Sequence, residues 1–185
     1  TQMPSKEAIK KSVAKVGYKD IVVDPQNSTV FLKNKGMKIG FGAIGKGYAA
    51  DKAKKLLISN GVSGGIINAS GDINSWGSKP SGSLWQVAIT NPLNKNKAFA
   101  MLPIKDAVVT SGNYEKYVTF NSRRYSHIID PRTGYPSQGI ISVTVFAPKA
   151  ELADALATSV FVMGVETGID RINQLKAIEK EKFKK

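Results

Sequence analysis

The sequence contains no cysteine and only one histidine, His127. The absence of cysteine excludes disulfides and thiolate metal ligands, and a single imidazole argues against a zinc site. Long hydrophobic runs are also missing, because the longest apolar stretches fall well short of the roughly 20 residues that cross a bilayer. The residues 1–4 do not begin a signal peptide. We therefore expect no membrane-spanning segment in this chain.

Acidic residues are scarce. The chain contains 14 Asp and Glu and 27 Lys and Arg, which gives a formal net charge of +13. Such a positive field attracts anions such as nucleotides, nucleic acid or an acidic membrane surface. Aromatic residues make up only 8% of the chain, and they are not interleaved with basic residues along any predicted strand. A base-stacking platform is therefore poorly supported, and we expect no nucleic acid among the partners.

The hydrophobic pattern predicts a single α+β domain over residues 1–185. Helical spacing predicts a capped helix that begins after Ser5 and ends at Gly17, with further helices over about 46–60, 150–163 and from 166 onward. Strand patterns fall at 20–24, 28–32, 65–69, 84–90, 98–104, 107–110, 117–120, 124–129 and 140–146. Runs of neighbouring strands between separated helices favour α+β over a strict βαβ alternation.

A glycine-rich segment, GFGAIGKGYAAD from Gly40 to Asp51, nearly matches the phosphate-binding loop of nucleoside triphosphatases. Gly47 stands where that motif needs a Ser or Thr hydroxyl for magnesium, which argues against a triphosphatase. The remaining features still suit a phosphate, because small residues admit its close approach and Lys46 adds a positive charge beside a helix N-terminus. The alternative is that these glycines only make a tight connection into the helix.

Two further segments place polar groups at predicted strand ends. In NASGDI, which contains Gly71, the carboxylate of Asp72 either holds a ligand hydroxyl or accepts N–H groups of its own turn. In TSGNYEKY, Ser111 lacks the G-x-S-x-G context of a nucleophile. Its hydroxyl forms a hydrogen bond with a ligand, or else Ser111 is simply a residue at the start of an ordinary hairpin.

His127 and a helical pair carry the remaining chemistry. Histidine is suited to take a proton from a hydroxyl near neutral pH, although a lone histidine is more often structural. Asp154 and Thr158 are four residues apart, so on a helix they share one face. A carboxylate and a hydroxyl are hard oxygen ligands that suit magnesium. The alternative is that Thr158 bonds back to the carbonyl of Asp154, with no metal present.

Five segments, taken in order over residues 36–164, resemble the ApbE family of FAD:protein FMN transferases. They are GAIGKGYAAD, NASGDI, VVTSGNYEKY, YSHIIDPRTGYPS and ADALATSVFVMG. The resemblance implies a T-fold-related α+β architecture in which mixed or antiparallel sheets pack against helices. It also implies an N-terminal portion that covers the flavin rings, and we expect this chain to lack it.

The resemblance implies a magnesium-dependent reaction in which a Thr or Ser hydroxyl of an acceptor flavoprotein attacks FAD, takes FMN and releases AMP. It assigns Mg²⁺ to the backbone carbonyl of Ala43 and the side chains of Asp154 and Thr158. His127 matches the residue that activates the acceptor hydroxyl. The positions expected at the FAD are Gly40, Lys46, Gly71, Asp72, Ser111 and the backbone of Ile128.

Two other activities stay open at this point. An FAD pyrophosphatase, which uses water in place of the acceptor hydroxyl, needs the same ion and histidine. A non-catalytic module that only binds FAD or another nucleotide is the second alternative. The resemblance further implies a membrane-associated lipoprotein on the periplasmic side of the bacterial inner membrane.

Overall fold

The computed structural model of the chain describes residues 3–114 and 117–182. The helices are α1 (Lys6–Val13), α2 (Gly45–Ser59), α3 (Ala150–Met163) and α4 (Val165–Lys182), with a 3₁₀ turn at Tyr18–Asp20. The strands are β1 (Ile21–Asp24), β2 (Thr29–Leu32), β3 (Gly65–Ala69), β4 (Asp72–Trp76), β5 (Trp85–Asn91), β6 (Asn94–Ile104), β7 (Ala107–Gly112), β8 (Tyr117–Phe120), β9 (Arg123–Ser126) and β10 (Ser142–Ala147). The predicted α+β class is confirmed.

A four-stranded antiparallel sheet forms the centre, with strand order β10, β7, β4, β3. The other strands form antiparallel hairpins, which pair β1 with β2, β5 with β6 and β8 with β9. Helices α2 and α3 pack against the central sheet and against each other. None of the helices in the described part of the chain is long and apolar enough to cross a membrane.

Strand β7 shows how the two faces of the sheet are used. Val109 packs with the alanines of α3, whereas its neighbour Val108 packs on the other face with Val87 and Ile104 of the β5–β6 hairpin. Successive side chains of a strand point to opposite faces, so the run of apolar residues at 107–109 serves two cores. The central sheet is thus covered by helices on one face and by this hairpin on the other.

The contact between α2 and α3 is unusually close because it involves Gly47 of α2. A Cβ atom at Gly47 would lie 2.3 Å from the carbonyl oxygen of Ala150, in the first turn of α3. Glycine at position 47, which argued against a triphosphatase, is therefore needed for packing. Any side chain at this position would collide with the backbone of α3.

Several elements differ from the sequence prediction. Strand β6 begins at Asn94, four residues earlier than predicted, and β9 ends at Ser126, three residues earlier than predicted. The first helix ends at Val13 instead of Gly17, although its predicted cap is present, because the Ser5 hydroxyl accepts a hydrogen bond from the Ala8 N–H at 3.1 Å. Strand β4 was not predicted. It places Asn74 and Ser75 in the interior, so its polar composition conceals a buried strand.

Candidate functional site

The N-terminus of α2 lies against the first residue of β4. The Lys46 ammonium and the Asp72 carboxylate form an ion pair with 2.6 Å between Nζ and Oδ1. The Asp72 side chain is completely buried, while that of Lys46 is 42% exposed. The turn before Asp72 is held by another group, because the Gly71 N–H donates to Asn68 Oδ1 at 2.7 Å. The interpretation of Asp72 as an acceptor within its own turn is therefore wrong.

Asp154 on α3 reaches across to the first turn of α2. The Gly47 N–H, one of the first-turn N–H groups that have no acceptor within α2, donates to Asp154 Oδ2 at 3.1 Å. No backbone hydrogen bond between described residues uses the Ala43 carbonyl. One free N–H of a helix N-terminus is thus satisfied by a carboxylate from another helix, and a backbone carbonyl is left available beside it.

Asp72 and Asp154 are close enough to affect each other electrostatically. Burial raises the pKa of Asp72 to about 6, Lys46 opposes that rise, and the nearby Asp154 adds to it. The second oxygen of Asp72, Oδ2, is buried and has no hydrogen-bond partner among the described residues. Two carboxylates therefore share this site with one lysine, which leaves room for additional positive charge.

Thr158 lies one turn after Asp154 on α3, and its hydroxyl meets the Ser111 hydroxyl of β7 at 3.1 Å. The alternative in which Thr158 bonds back to the carbonyl of Asp154 is not what the structure shows. That type of bond occurs at the next residue, where the Ser159 hydroxyl donates to the Ala155 carbonyl. The predicted pair Asp154 and Thr158 therefore faces the sheet, and Ser111 lies at the same face.

His127 follows β9 directly and is exposed to solvent. The next residue, Ile128, is buried with Ile140 and with Phe161 of α3. The Ile128 N–H donates to the Ser126 hydroxyl at 3.0 Å, and its carbonyl accepts from the Ser137 N–H at 2.9 Å. Both backbone groups of Ile128 are therefore used within the protein, and only the second lone pair of its carbonyl remains for a ligand.

The loop that carries His127 is fastened to the C-terminal end of α3 by Arg132. Its guanidinium forms a bidentate ion pair with Asp130, in which Nε donates to Oδ1 and Nη2 to Oδ2, and Nη2 also donates to the carbonyl of Val162 at 3.1 Å. Arg132 lowers the pKa of Asp130 below its ordinary value, mainly through the side-chain hydrogen bonds. This links the histidine loop to the helix that carries Asp154 and Thr158.

The predicted glycines and Ala43 lie on the surface. Gly40 and Ala43 are exposed in the segment before α2, and a Cβ atom at Gly40 would meet nothing within 4 Å. Gly71 has a φ of 95° in the turn between β3 and β4, a conformation that favours glycine. No contact with another described residue requires glycine at position 40.

Asp51 is a structural residue that sequence reasoning did not identify. Its carboxylate accepts hydrogen bonds from the Ala150 and Glu151 N–H groups at 2.9 and 3.0 Å. The residue at the cap position of α3, Lys149, provides no side-chain cap of its own. The only signal in the sequence was the position of Asp51 at the end of the glycine-rich segment, and nothing there indicated a partner about 100 residues away.

The family model described as "ApbE family" matches residues 1–180. The chain belongs to the ApbE family. Among curated ApbE relatives, the FAD:protein FMN transferase of Escherichia coli K12 is 36% identical over 170 residues, which are 89% of this chain and 48% of that protein. The FAD:protein FMN transferase of Treponema pallidum is 32% identical and covers 96% of this chain and 53% of that protein.

Solved ApbE structures agree with the fold. The ApbE protein of Thermotoga maritima superposes with a TM-score of 0.87 at 36% identity, covering 96% of this chain and 57% of that one. The flavin transferase ApbE of Vibrio cholerae gives a TM-score of 0.80 at 29% identity, covering 91% and 54%. The chain spans about half the length of the curated ApbE relatives that it matches.

The ApbE resemblance deduced from the five segments is thus confirmed. The described residues contain no cluster of three or more His, Cys, Asp or Glu side chains that could hold a metal ion. A cation site here would therefore have to use carbonyl and hydroxyl oxygens in addition to carboxylates.

Proposed function

We propose that this chain carries the catalytic site of an FAD:protein FMN transferase, which moves FMN from FAD to a Thr or Ser hydroxyl of an acceptor flavoprotein and releases AMP. The family supports the transfer of flavin in general. The magnesium ion, the type of acceptor hydroxyl and the released nucleotide are the parts that the proposal adds.

The observation that carries the proposal is the hydrogen bond from the Gly47 N–H to Asp154. It brings the Asp154 carboxylate against the N-terminus of α2, four residues after Ala43, whose carbonyl accepts no backbone hydrogen bond from a described residue. A helix N-terminus favours a phosphate group, and Lys46 in the same turn adds a positive charge. A phosphate position and a set of cation ligands therefore coincide within one turn of helix.

The residues present fit a magnesium ion. Its ligands would be the Ala43 carbonyl, the Asp154 carboxylate and the Thr158 hydroxyl, all of them hard oxygens. The unpartnered oxygen of buried Asp72 beside Asp154 supports a cation here, because two neighbouring carboxylates favour additional positive charge. When bound, the ion would neutralise charge on the phosphate oxygens during transfer.

The protein's own residues would position the dinucleotide. Lys46 and the N-terminal turn of α2 would hold the pyrophosphate, and Gly40 would let the backbone approach it without a side chain in the way. Asp72 would orient Lys46 through their ion pair. Ser111 would fix the Thr158 hydroxyl, since the two hydroxyls are hydrogen-bonded.

His127 would act as the general base toward the acceptor. The acceptor hydroxyl oxygen forms a bond to the phosphorus of the FMN half, and the bond from that phosphorus to the bridging oxygen breaks. AMP leaves with the bridging oxygen, while the hydroxyl proton passes to the His127 imidazole. The exposure of His127 suits this role, because the nucleophile belongs to another protein that must reach it from outside.

AMP release tests the proposal and separates it from the two alternatives. The chain is incubated with FAD and Mg²⁺, with and without a flavoprotein acceptor, and AMP is measured by chromatography. The proposal expects AMP to form in step with a covalently yellow acceptor. AMP at the same rate without the acceptor would indicate a pyrophosphatase, and intact FAD in both samples would indicate a binding module.

The cellular location expected from the resemblance, the periplasmic side of the inner membrane, stays a prediction. Labelling the native protein in intact cells with a reagent that cannot cross the inner membrane would test it.

A further inference from the structure

The side chain of Asn74, in the middle of β4, lies between two charged side chains of α2. Asn74 is completely buried. Its amide oxygen accepts a hydrogen bond from the Lys54 ammonium at 2.9 Å, and its amide NH₂ group donates to the Asp51 carboxylate. The Lys54 ammonium also donates to the Ser75 carbonyl of β4 at 2.8 Å. Because an ammonium only donates and a carboxylate only accepts, these partners fix the orientation of the amide and hold α2 against β4.

The contacts of Asn74 continue into α3 through Asp51. The carboxylate that accepts from Asn74 also accepts the Ala150 and Glu151 N–H groups, in the first turn of α3. The side chains of Asn74, Asp51 and Lys54, which we call the Asn74 network, therefore join β4, α2 and α3 at one place. Charged groups form stronger hydrogen bonds than neutral groups do, so this network resists relative movement of the three elements.

Each of the three joined elements carries a residue of the candidate site at a similar distance from the Asn74 network. Asp72 precedes Asn74 by two residues of β4, which is about 7 Å along a strand, and its side chain lies on the same face. Gly47 of α2 and Asp154 of α3 each lie four residues from the network, which is about 6 Å along a helix. The network therefore lies one turn or less from the site on every element that contributes to it.

The contacts of the candidate site depend on how these three elements are spaced. The Lys46 ammonium meets Asp72 Oδ1 at 2.6 Å, and the Gly47 N–H meets Asp154 Oδ2 at 3.1 Å. A separation of about 3.6 Å is no longer a hydrogen bond, so a shift of about 0.5 Å between α2 and α3 would break the second contact. The positions of both carboxylates therefore depend on the packing that the Asn74 network maintains.

We propose that Asn74 is a positioning residue for the cation and pyrophosphate site, and that it acts by holding β4, α2 and α3 in the arrangement that the site requires. This role rests on the proposed function, which supplies the site. Asn74 acts through other residues, because its amide bonds to Asp51 and Lys54 and the ligands are carried further along each element. A residue that served folding alone could be replaced without changing ligand binding by the folded protein.

Binding of Mn²⁺ to the folded protein separates positioning from stability. Mn²⁺ takes the same oxygen ligands as Mg²⁺, and its EPR signal in solution falls when it is bound. We expect Asn74→Ala to weaken the binding of Mn²⁺ that Mg²⁺ can displace by about tenfold or more, which is the usual effect of removing a group behind the ligands. Circular dichroism checks that each protein is folded. Undiminished binding by Asn74→Ala would overturn the proposal.

Ser75→Ala is the matched control. Ser75 is the next residue of β4 and is also completely buried, but its side chain lies on the opposite face of the strand. There its hydroxyl donates to the Asp106 carbonyl at 3.1 Å. This variant should lower the melting temperature and leave the Mn²⁺ affinity unchanged. Equal weakening by Asn74→Ala and Ser75→Ala would show that any loosening of β4 affects the site, which would refute a specific role for Asn74.

Lys54→Met tests the same role in a variant that keeps the buried amide. Loss of a positive charge by itself strengthens the binding of a cation, whereas loss of the group that orients Asn74 should weaken Mn²⁺ severalfold. Lys54→Arg keeps a charged donor and should restore most of the affinity. Lys55→Met removes the same charge from the next residue, which is exposed and takes part in none of the ion pairs between described residues. Equal effects of Lys54→Met and Lys55→Met would contradict the proposal.

The Gly47 amide proton gives a readout that needs no metal. Its NMR shift reports the length of the hydrogen bond to Asp154, so the signal should move upfield in Asn74→Ala and stay in place in Ser75→Ala. A wild-type chain that failed to bind Mn²⁺ would remove the proposed cation site, and the Gly47 signal would then decide the role of Asn74 alone. Wild-type binding that Asn74→Ala retains in full would remove the role of Asn74 and leave the proposed function intact.

Discussion

The absence of a side chain at Gly47 matters both for the packing of α2 against α3 and for the position of Asp154. It lets α2 touch the first turn of α3, and that contact brings the Gly47 N–H within 3.1 Å of Asp154. The same residue therefore sets the distance between the two helices and the position of the carboxylate.

Gly47→Ala should destabilise the protein. Its Cβ would lie 2.3 Å from the Ala150 carbonyl oxygen, and overpacking of this kind costs about 1–3 kcal/mol. The free energy of unfolding in urea measures the effect. Helix propensity alone favours alanine by up to about 1 kcal/mol, so a more stable variant would contradict the packing account. Gly42→Ala is the control, because a Cβ there meets nothing within 4 Å and stability should not fall.

Asp72 gives the stability of the protein a specific pH dependence. Its pKa is raised from 3.8 to about 6 in the folded protein, first of all by burial. Between these values the folded state holds a proton that the unfolded state has released, so stability is higher at low pH and falls as the pH rises through about 6.

We expect the wild-type protein, compared with Asp72→Asn in cation-free buffer, to lose stability between about pH 4 and pH 6.5. Asparagine does not titrate, so the variant lacks this contribution. Unfolding free energies of both proteins across that range measure the difference. A difference that stays constant, or that grows in favour of the wild type as the pH rises, would show that the Asp72 carboxyl is not destabilised by burial.

His127→Ala should separate binding from catalysis. His127 is exposed and its proposed role is toward the acceptor hydroxyl, so FAD affinity should be retained. Loss of a general base slows a reaction by about 10²–10⁴-fold, and the transfer rate should fall accordingly. Flavin fluorescence measures the affinity and covalent acceptor formation measures the rate. An unchanged rate would exclude His127 as the base.

At the scale of elements, α3 is the part of the fold that assembles the site. It carries Asp154 and Thr158, its first turn is capped by Asp51 from α2, and its last turn accepts a hydrogen bond from Arg132. Both ends of the helix are therefore fixed by side chains from other elements. These contacts hold Asp154 and Thr158, the two candidate metal ligands, in place relative to the central sheet.

Asp51→Ala should destabilise the protein by at least about 1–2 kcal/mol, because a helix cap of this type contributes in that range. Two backbone N–H groups of α3 and the buried Asn74 amide all lose their acceptor. The free energy of unfolding in urea measures the loss. The matched control is Asp170→Ala on α4, where the carboxylate is exposed and stability should be unchanged. Equal stability of the two variants would mean that α3 does not depend on Asp51.

Much of the architecture could be predicted from local patterns, and the failures have physical causes. The bounds of α3 follow from its alanine-rich spacing, and the β1–β2 hairpin follows from its turn. Strand β4 was not predicted because its polar residue Asn74 is buried. Its hydrogen-bond partners, Asp51 and Lys54, are brought to it only by the tertiary fold. The pair Asp154 and Thr158 was visible as helical spacing, whereas the contact with Gly47 spans 107 residues and has no local signal.

For the whole molecule, the net charge of +13 and the single histidine suit the proposed reaction, in which an anionic substrate is bound and few reactive side chains are needed. Phosphoryl transfer depends mainly on position and charge, which the α2 N-terminus, Lys46 and Asp154 can provide. Described residues from four of the five sequence segments meet in pairs, since Lys46 contacts Asp72, Gly47 contacts Asp154 and Ser111 contacts Thr158. These features support the transfer of FMN to another protein, which is the function that we propose.

The mass of an acceptor flavoprotein, measured after incubation with the chain, FAD and Mg²⁺, tests that claim most directly. We predict a gain equal to FMN less one water on a Thr or Ser residue. The gain should be lost with a chelator and with Asp154→Ala, but kept with Asp170→Ala. No gain with the wild-type chain, or an undiminished gain with Asp154→Ala, would contradict the account.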